Sequence, residues 1–237
     1  MQHRHAGMVT MGYHLTPAVK YIILACLGAY ILSTLGAGEE MIYFFGLTPG
    51  WIFTKLFFWQ LFTYLFFHSG FGHIFWNMFV LWMFGCEMER YLGSREFVRF
   101  FFITGMGAGL ISVLVHPMST VTTIGASGSI YGILLAYGML FPERRVYLYF
   151  LFPIKVKYFI SFLFVSAFVA AFGSSGTGID HFAHLGGGLF AVLYLKGIFS
   201  WKRLREAYYH QRFQRLRKNF KVYEKKQKKK EDDFWIN

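Results

Sequence analysis

Apolar residues along this 237-residue chain fall into six long blocks separated by shorter polar connections. The blocks lie near Tyr21–Gly38, His73–Tyr91, Phe97–Val115, Ser127–Phe141, Val156–Phe172 and His181–Phe199. Each approaches the ~20 residues that an α-helix needs to cross a bilayer. None shows the narrow apolar stripe of a helix lying on a soluble core. The pattern predicts an all-α membrane protein with six transmembrane helices, the block edges being good to ~2–4 residues. It divides the chain into a short N-terminal segment (residues 1–20), a six-span body (21–199) and a basic tail (200–237). A signal sequence is the competing reading of the first block, since Arg4 and Lys20 precede it and Leu35-Gly36-Ala37 follows. It ranks lower because the preceding segment is long for such a leader and the block is nearly long enough to span. No Arg-rich, Ser-rich transit segment is visible.

Composition supports the membrane class. Hydrophobic residues make up 55% of the chain and charged residues only 15%, too little polar surface for a soluble domain of this length. Cys26 and Cys86, the only cysteines, both fall inside apolar blocks and form neither a zinc spacing nor a disulfide framework. Charge placement then sets the orientation. Of 24 Lys and Arg, Arg4 and Lys20 precede the first block. Arg90, Arg95 and Arg99 flank the second connection, and Arg144, Arg145, Lys155 and Lys157 flank the fourth. Lys196 and thirteen more from Lys202 to Lys230 lie at or beyond the last block; only Lys55 falls in a connection on the other side. The positive-inside rule places both termini in the cytoplasm, in agreement with an even number of spans.

With that orientation, two reactive groups share the outer side. Ser127 opens the fourth block within Gly125-Ala126-Ser127-Gly128, and His184 opens the sixth within Ala183-His184-Leu185-Gly186-Gly187. A hydroxyl within reach of an imidazole is the minimal nucleophile–base pair of hydrolysis. The fourth block is short: fifteen residues rise ~22 Å against ~30 Å of hydrocarbon, which sinks Ser127 below the outer surface. The irregular polar run His116-Pro117-Met118-Ser119-Thr120 before it is tolerated at that depth only beside water or buried in protein. Gly128 and Gly132 on block four, and Gly187 and Ala191 on block six, are spaced for close helix approach, though small residues at this spacing also serve simple packing. Tyr131, one turn below Ser127, is placed to pack against the His184 ring or to be ordinary core.

His73 and Asn77 are i, i+4 on block two, on one face near its outer end. Polar residues inside a membrane either glue helices together or mark function. Both side chains donate hydrogen bonds, as an oxyanion hole requires, alongside the Ser127 N–H at a helix start. Asp180, i−4 from His184, suits a third triad member or, more simply, a helix N-cap. His181 and His184 are spaced i, i+3, but no HExxH is present and no Asp or Glu falls mid-span to complete a metal site. That absence also argues against aspartyl chemistry and a carboxylate proton relay. No metal and no cofactor is expected.

These residues resemble the rhomboid intramembrane serine proteases across the whole six-span body. The likeness rests on Gly125-Ala126-Ser127-Gly128, Ala183-His184-Leu185-Gly186-Gly187 and His73-Ile74-Phe75-Trp76-Asn77, each at the start of its span. Phe66-Phe67-His68 and Trp59-Gln60-Leu61-Phe62-Thr63 add two landmarks in the first outer connection. The resemblance implies a serine endopeptidase with a Ser127–His184 dyad and no obligatory carboxylate. It implies an oxyanion hole of His73, Asn77 and the Ser127 amide, with Tyr131, Gly125, Gly128 and Gly187 in support. The implied substrates are single-span membrane proteins cleaved near the outer face, and the implied location is the bacterial cytoplasmic (inner) membrane. A rhomboid-like protein that only binds and escorts membrane helices is the alternative; such proteins typically lack the Ser or the His. Gln60 stands where the family usually has Arg, which puts anchoring of the outer loop in question. Ala191 stands where Gly is more usual.

Two other segments carry expectations. In the long outer connection Gly38–Gly72, Phe53, Leu56, Phe57 and Trp59 suit an interfacial helix lying in the membrane plane. The tail Trp201–Asn237 holds thirteen basic and five acidic residues, with Tyr209, Phe213, Leu216 and Phe220 at roughly helical spacing. It reads as a basic amphipathic helix on anionic lipid or as a solvated topogenic tail; no nucleic-acid motif accompanies the charge.

Overall fold

The computed structural model describes residues 14–148, 152–173 and 180–197. The chain divides into two compact units, Met1–Val192 and Leu193–Asn237. Of the second, the described part is the end of the last helix and the turn after it. The N-terminal residues before His14, the end of the sixth block at Phe199 and the expected amphipathic tail lie outside the described residues.

Helix α1 (Pro17–Leu32) passes through a π-helical turn at Ser33–Ala37 into α2 (Gly38–Phe45). Two short helices follow, α3 (Pro49–Thr54) and α4 (Gln60–Thr63), the second running on into a 3-10 turn at Tyr64–Phe66. The next rod is α5 (Phe71–Val80), a π turn at Leu81–Gly85 and α6 (Cys86–Leu92), unbroken from end to end. Then come α7 (Ser94–Val115), α8 (Ser127–Leu140), strands β1 (Arg145–Leu148) and β2 (Phe152–Lys155), α9 (Val156–Phe172) and α10 (His181–Leu195). The fold is therefore mostly helical. Blocks three to six begin within three residues of the helices they predict, and α9 matches its block at both ends.

Three local differences have physical reasons. The first helix starts at Pro17, not Tyr21, because its cap comes from elsewhere: the carboxylate of Glu89 accepts the N–H groups of Ala18 and Val19, both at 2.9 Å. Thr16 and Ser94 donate their hydroxyls to the same carboxylate. A helix begun by a residue some seventy positions downstream leaves no local N-cap signal. Second, the fourth connection is not plain loop but an antiparallel hairpin, with Arg145 opposite Lys155 and Leu148 opposite Phe152. Third, the expected interfacial helix over Phe53–Trp59 is broken. α3 ends at Thr54, and Leu56 takes a positive φ of 60° before the chain re-enters helix at Gln60. Phe53, Leu56, Phe58 and Trp59 are nevertheless exposed, an apolar surface of the kind an interface takes up.

The core lies between α7 and its neighbours, where Phe97, Phe100, Phe101, Ala108, Ile133 and Ala136 are fully buried. The outside is apolar too. On α9, Tyr158, Phe162, Val165, Phe168, Val169 and Phe172 are all exposed, as are Tyr21, Leu24, Leu27, Ile31 and Leu32 on α1. Water-soluble proteins rarely carry apolar faces this extensive, whereas lipid covers them at no cost. Pro17–Gly36 and Ser94–Val115 are each long and apolar enough by themselves to cross a bilayer; α8, α9 and α10 are apolar but shorter.

Small residues set the spacing of α8 and α10. A Cβ added to Gly187 would fall on the carbonyl oxygen of Gly128, and one added to Gly132 would lie 3.0 Å from the Gly187 oxygen. The two helices therefore meet backbone to backbone, with Ala191 fully buried further along. At the opposite end from Ser127, Glu87 accepts hydrogen bonds from Tyr137 (2.8 Å) and from Arg144, tying α6 to the end of α8.

The Glu89 cap yields an expectation. Glu89→Ala leaves the first turn of α1 without its charged acceptor and should lower unfolding stability in detergent micelles by about 3 kcal/mol. Exposed Glu39→Ala, the control, should change it by less than about 0.5 kcal/mol.

Candidate active site

The site forms where the first turns of α5, α8 and α10 converge. Ser127 begins α8 two residues after Gly125, whose φ is +122°. That conformation is available to glycine and strained for other residues. Space demands glycine as well: a Cβ there would lie 2.8 Å from Nε2 of His73. The Gly125 N–H donates to the carbonyl of Tyr64 (2.9 Å), and the Tyr64 hydroxyl donates to the carbonyl of Gly105 on α7 (2.7 Å). Upstream, Leu47 and Thr123 exchange both backbone hydrogen bonds, and the hydroxyls of Thr48 and Thr122 meet at 2.8 Å. The irregular segment before Ser127 is thus held by the connection between α2 and α5, itself tied to α7 through Tyr64.

His184 lies on the first turn of α10, buried, with Nε2 2.9 Å from Oγ of half-buried Ser127. The ring of Tyr131 stacks on the imidazole, centroids 4.1 Å apart and planes 4° from parallel. Nδ1 of His184 is buried without a hydrogen-bond partner. Asp180 does not supply one. Its Oδ1 accepts the Ala183 N–H (2.9 Å), and its Oδ2 accepts the hydroxyls of Thr123 (3.0 Å) and Ser112. The carboxylate is the N-cap of α10, and it also joins that helix to α7 and to the segment before Ser127. Its hydrogen bonds go to those groups rather than to the imidazole, so the cap describes Asp180 and the triad does not.

On α5, His73 faces Gly125 through Nε2, while its Nδ1 lies 3.4 Å from the Ser69 N–H and 3.1 Å from the Ser69 hydroxyl. Asn77 is buried, with one amide N–H donated to the backbone carbonyl of His73 (2.7 Å). That bond fixes the side chain and leaves its second N–H uncommitted. Among the described residues, no cluster of three or more His, Cys, Asp or Glu is arranged to hold a metal ion. The His181 and His184 rings stand 5.9 Å apart, edge to face.

Gln60 answers the question its sequence position raises. Fully buried, it accepts the Thr48 N–H through Oε1 (3.0 Å) and donates through Nε2 to the carbonyls of Tyr43 (3.1 Å) and Phe44 (3.4 Å). A neutral amide thus pins the connection between α2 and α5, with Trp59 adding a bond to the Phe44 carbonyl (2.8 Å). Two further groups carry no distinctive signal in the sequence. Ser69 gives no pattern beyond its adjacency to His68. Glu89 sits among charges that look like an ordinary inner boundary.

The arrangement is a hydroxyl paired with an imidazole at a helix N-terminus, inside a helical protein whose outer face suits lipid. That combination defines an integral membrane protein with the groups needed for acyl transfer. The chain belongs to the rhomboid family: the Rhomboid domain matches residues 56–201, more than half of it. Members of this family are generally intramembrane serine proteases. Rhomboid protein 1, mitochondrial, of Saccharomyces cerevisiae is 32% identical over 132 residues, covering 54% of this chain and 38% of that protein. Rhomboid-like protein 11, chloroplastic, of Arabidopsis thaliana is 30% identical over 185 residues, covering 74% of this chain and 63% of the relative. Presenilin-associated rhomboid-like protein, mitochondrial, of Rattus norvegicus is 33% identical over 141 residues, covering 54% and 35%. This chain therefore spans about a third to two thirds of the length of these relatives.

Two measurements follow. Gln60→Ala leaves the buried Thr48 N–H and the Tyr43 carbonyl without their partner and should cost about 2–3 kcal/mol of unfolding free energy, while Gln60→Glu, which keeps the acceptor but turns a buried carboxyl toward two carbonyls, should not recover the loss. His68 gives a pH signature. Burial, with His73 beside it as the second cause, lowers its pKa from 6.5 to about 4. The unfolded chain binds this proton below pH 6.5 and the folded chain only near pH 4, so stability should fall on acidification through that window. The loss is about 3 kcal/mol at most, and His68→Gln should flatten the profile between pH 7 and 4.5.

Proposed function

We propose that this protein is an intramembrane serine endopeptidase that cleaves single-span membrane proteins near their outer end. The observation that carries the reading is the 2.9 Å contact between Ser127 Oγ and His184 Nε2, between helices whose backbones touch. Ser127 attacks the scissile carbonyl, and His184 takes its proton and passes it to the leaving amine. The developing oxyanion is met by the Ser127 N–H, by His73 and by the second amide N–H of Asn77. Tyr131 holds the imidazole plane by stacking on its face, the orienting task that a carboxylate at Nδ1 performs in a triad. Gly125 keeps the approach to His73 open, and Gly128 and Gly187 set the separation of the two helices. Water then releases the acyl-enzyme.

The proposed frame is a bundle of six spans, namely α1, the α5–α6 rod, α7, α8, α9 and α10, with both termini cytoplasmic. The basic residues at the connections after the second and fourth spans support that orientation, and Lys55 alone lies on the outer side. α8 has 14 residues, a rise of ~21 Å against ~30 Å of hydrocarbon, so Ser127 sits below the outer surface where water reaches it from outside. The division into residues 1–20, 21–199 and 200–237 belongs to this proposal, as does contact of the basic tail with anionic lipid. For the membrane itself we propose the bacterial cytoplasmic membrane. The relatives' names do not favour it, since those named above are mitochondrial or chloroplastic; fractionation of the source cell decides.

A fluorophosphonate probe tests the dyad. The native chain in micelles should be labelled, and Ser127→Ala and His184→Ala should lose labelling while retaining native unfolding midpoints. Labelling that persists in Ser127→Ala would falsify the assignment. A native chain that binds transmembrane helices without being labelled would instead be the escort protein of the alternative reading. Asn77→Ala should lower kcat about 100-fold with KM changed by less than about threefold, because its bond to substrate forms only in the transition state. Equal losses in kcat and in binding would remove Asn77 from the oxyanion hole.

A further inference from the structure

We infer that Ser69 is a positioning residue that fixes the tautomer of His73, leaving Nδ1 bare and placing the ring proton on Nε2, the nitrogen that faces Gly125. The inference rests on the oxyanion reading above and adds to it the group that makes His73 a donor on the correct side.

A neutral imidazole has one N–H and one bare nitrogen, and which is which follows from its partners. Two groups of Ser69 meet Nδ1 of His73: the backbone N–H at 3.4 Å and the hydroxyl at 3.1 Å. A hydroxyl accommodates either tautomer. A backbone N–H does not, because it only donates. A proton on Nδ1 would point at that N–H, so the contact requires Nδ1 to accept, and the hydroxyl then donates to the same lone pair. The proton is left on Nε2, which lies 2.8 Å from the position a Cβ would take at Gly125. The same argument disfavours the imidazolium, which carries protons on both nitrogens.

The neighbouring histidine makes the opposite choice. His68 packs against His73 with ring centroids 5.0 Å apart, and its Nδ1 lies 3.2 Å from the carbonyl of Phe66. A carbonyl only accepts, so His68 carries its proton on Nδ1, and its buried Nε2 has no partner. Residues 68 and 69 thus hold two imidazoles in contact in opposite tautomers. Only that of His73 presents a donor toward the turn before Ser127.

The test reads the proton directly. The full chain, reconstituted in lipid with 15N-labelled histidine, is measured at neutral pH by solid-state NMR, and the His73 signals are assigned by their loss in His73→Gln. Native protein should show a neutral His73 protonated at Nε2. Ser69→Ala, which keeps only the longer of the two contacts, should shift part of the population to the Nδ1–H form. It should also lower kcat about tenfold with KM unchanged, a fraction of what full loss of an oxyanion donor costs, and Ser69→Thr should restore both. A native His73 protonated at Nδ1, or doubly protonated, overturns the inference, as does an unchanged tautomer in Ser69→Ala. The spectrum needs no turnover, so it stands apart from the dyad test: absence of probe labelling refutes the protease reading, whereas a wrong tautomer refutes this one alone.

Discussion

The contact between the backbones of Gly128 and Gly187 is the constraint on which the rest of the site depends. A serine side chain reaches only one bond beyond its Cβ, so a hydroxyl on one helix meets an imidazole on another only if the helices nearly touch. In a bilayer no hydrophobic force drives such contact, since lipid tails are as apolar as leucine, and packing of small residues supplies it instead. Once the helices touch, the Ser127–His184 distance, the Tyr131 stack and the burial of the imidazole follow from the register of α8 against α10.

Around that contact the protein pins the irregular backbone leading into Ser127. Tyr64, Leu47 and Thr48 hold it from the connection between α2 and α5, and Asp180 holds it from α10. Gln60 secures that connection in turn. Unwound backbone buried within a helical protein leaves polar groups that need partners. Here the partners are backbone groups, small hydroxyls and one carboxylate, Asp180, which accepts hydrogen bonds from three donors.

Much of this was legible in the sequence, because hydropathy and helix length act locally. The positions of α7, α8 and α9 follow from apolar run lengths, and the pairing of Ser127 with His184 follows from glycine spacing and a shared end of the span. What escaped was set by partners distant in the chain. The start of α1 is defined by Glu89, the anchoring role of Gln60 by carbonyls some sixteen positions away, and the break at Leu56 by packing of the connection between α2 and α5. The choice between cap and triad for Asp180 was open because both need a carboxylate at the same i−4 position. The bond from the Ala183 N–H, with those from Ser112 and Thr123 in other segments, decides it. The hairpin after α8 was missed because each strand is only four residues long and lies among charges that read as a topological boundary.

The cap on α1 bears on how the molecule is made. Ala18 and Val19 are synthesised some seventy residues before Glu89, so the leading amides of α1 gain this acceptor only after Glu89 has been made. Its start is fixed only once α6 has packed against it and Glu89 has docked. The N-terminal boundary of α1 is therefore a tertiary property, completed by a single carboxylate from a later part of the chain.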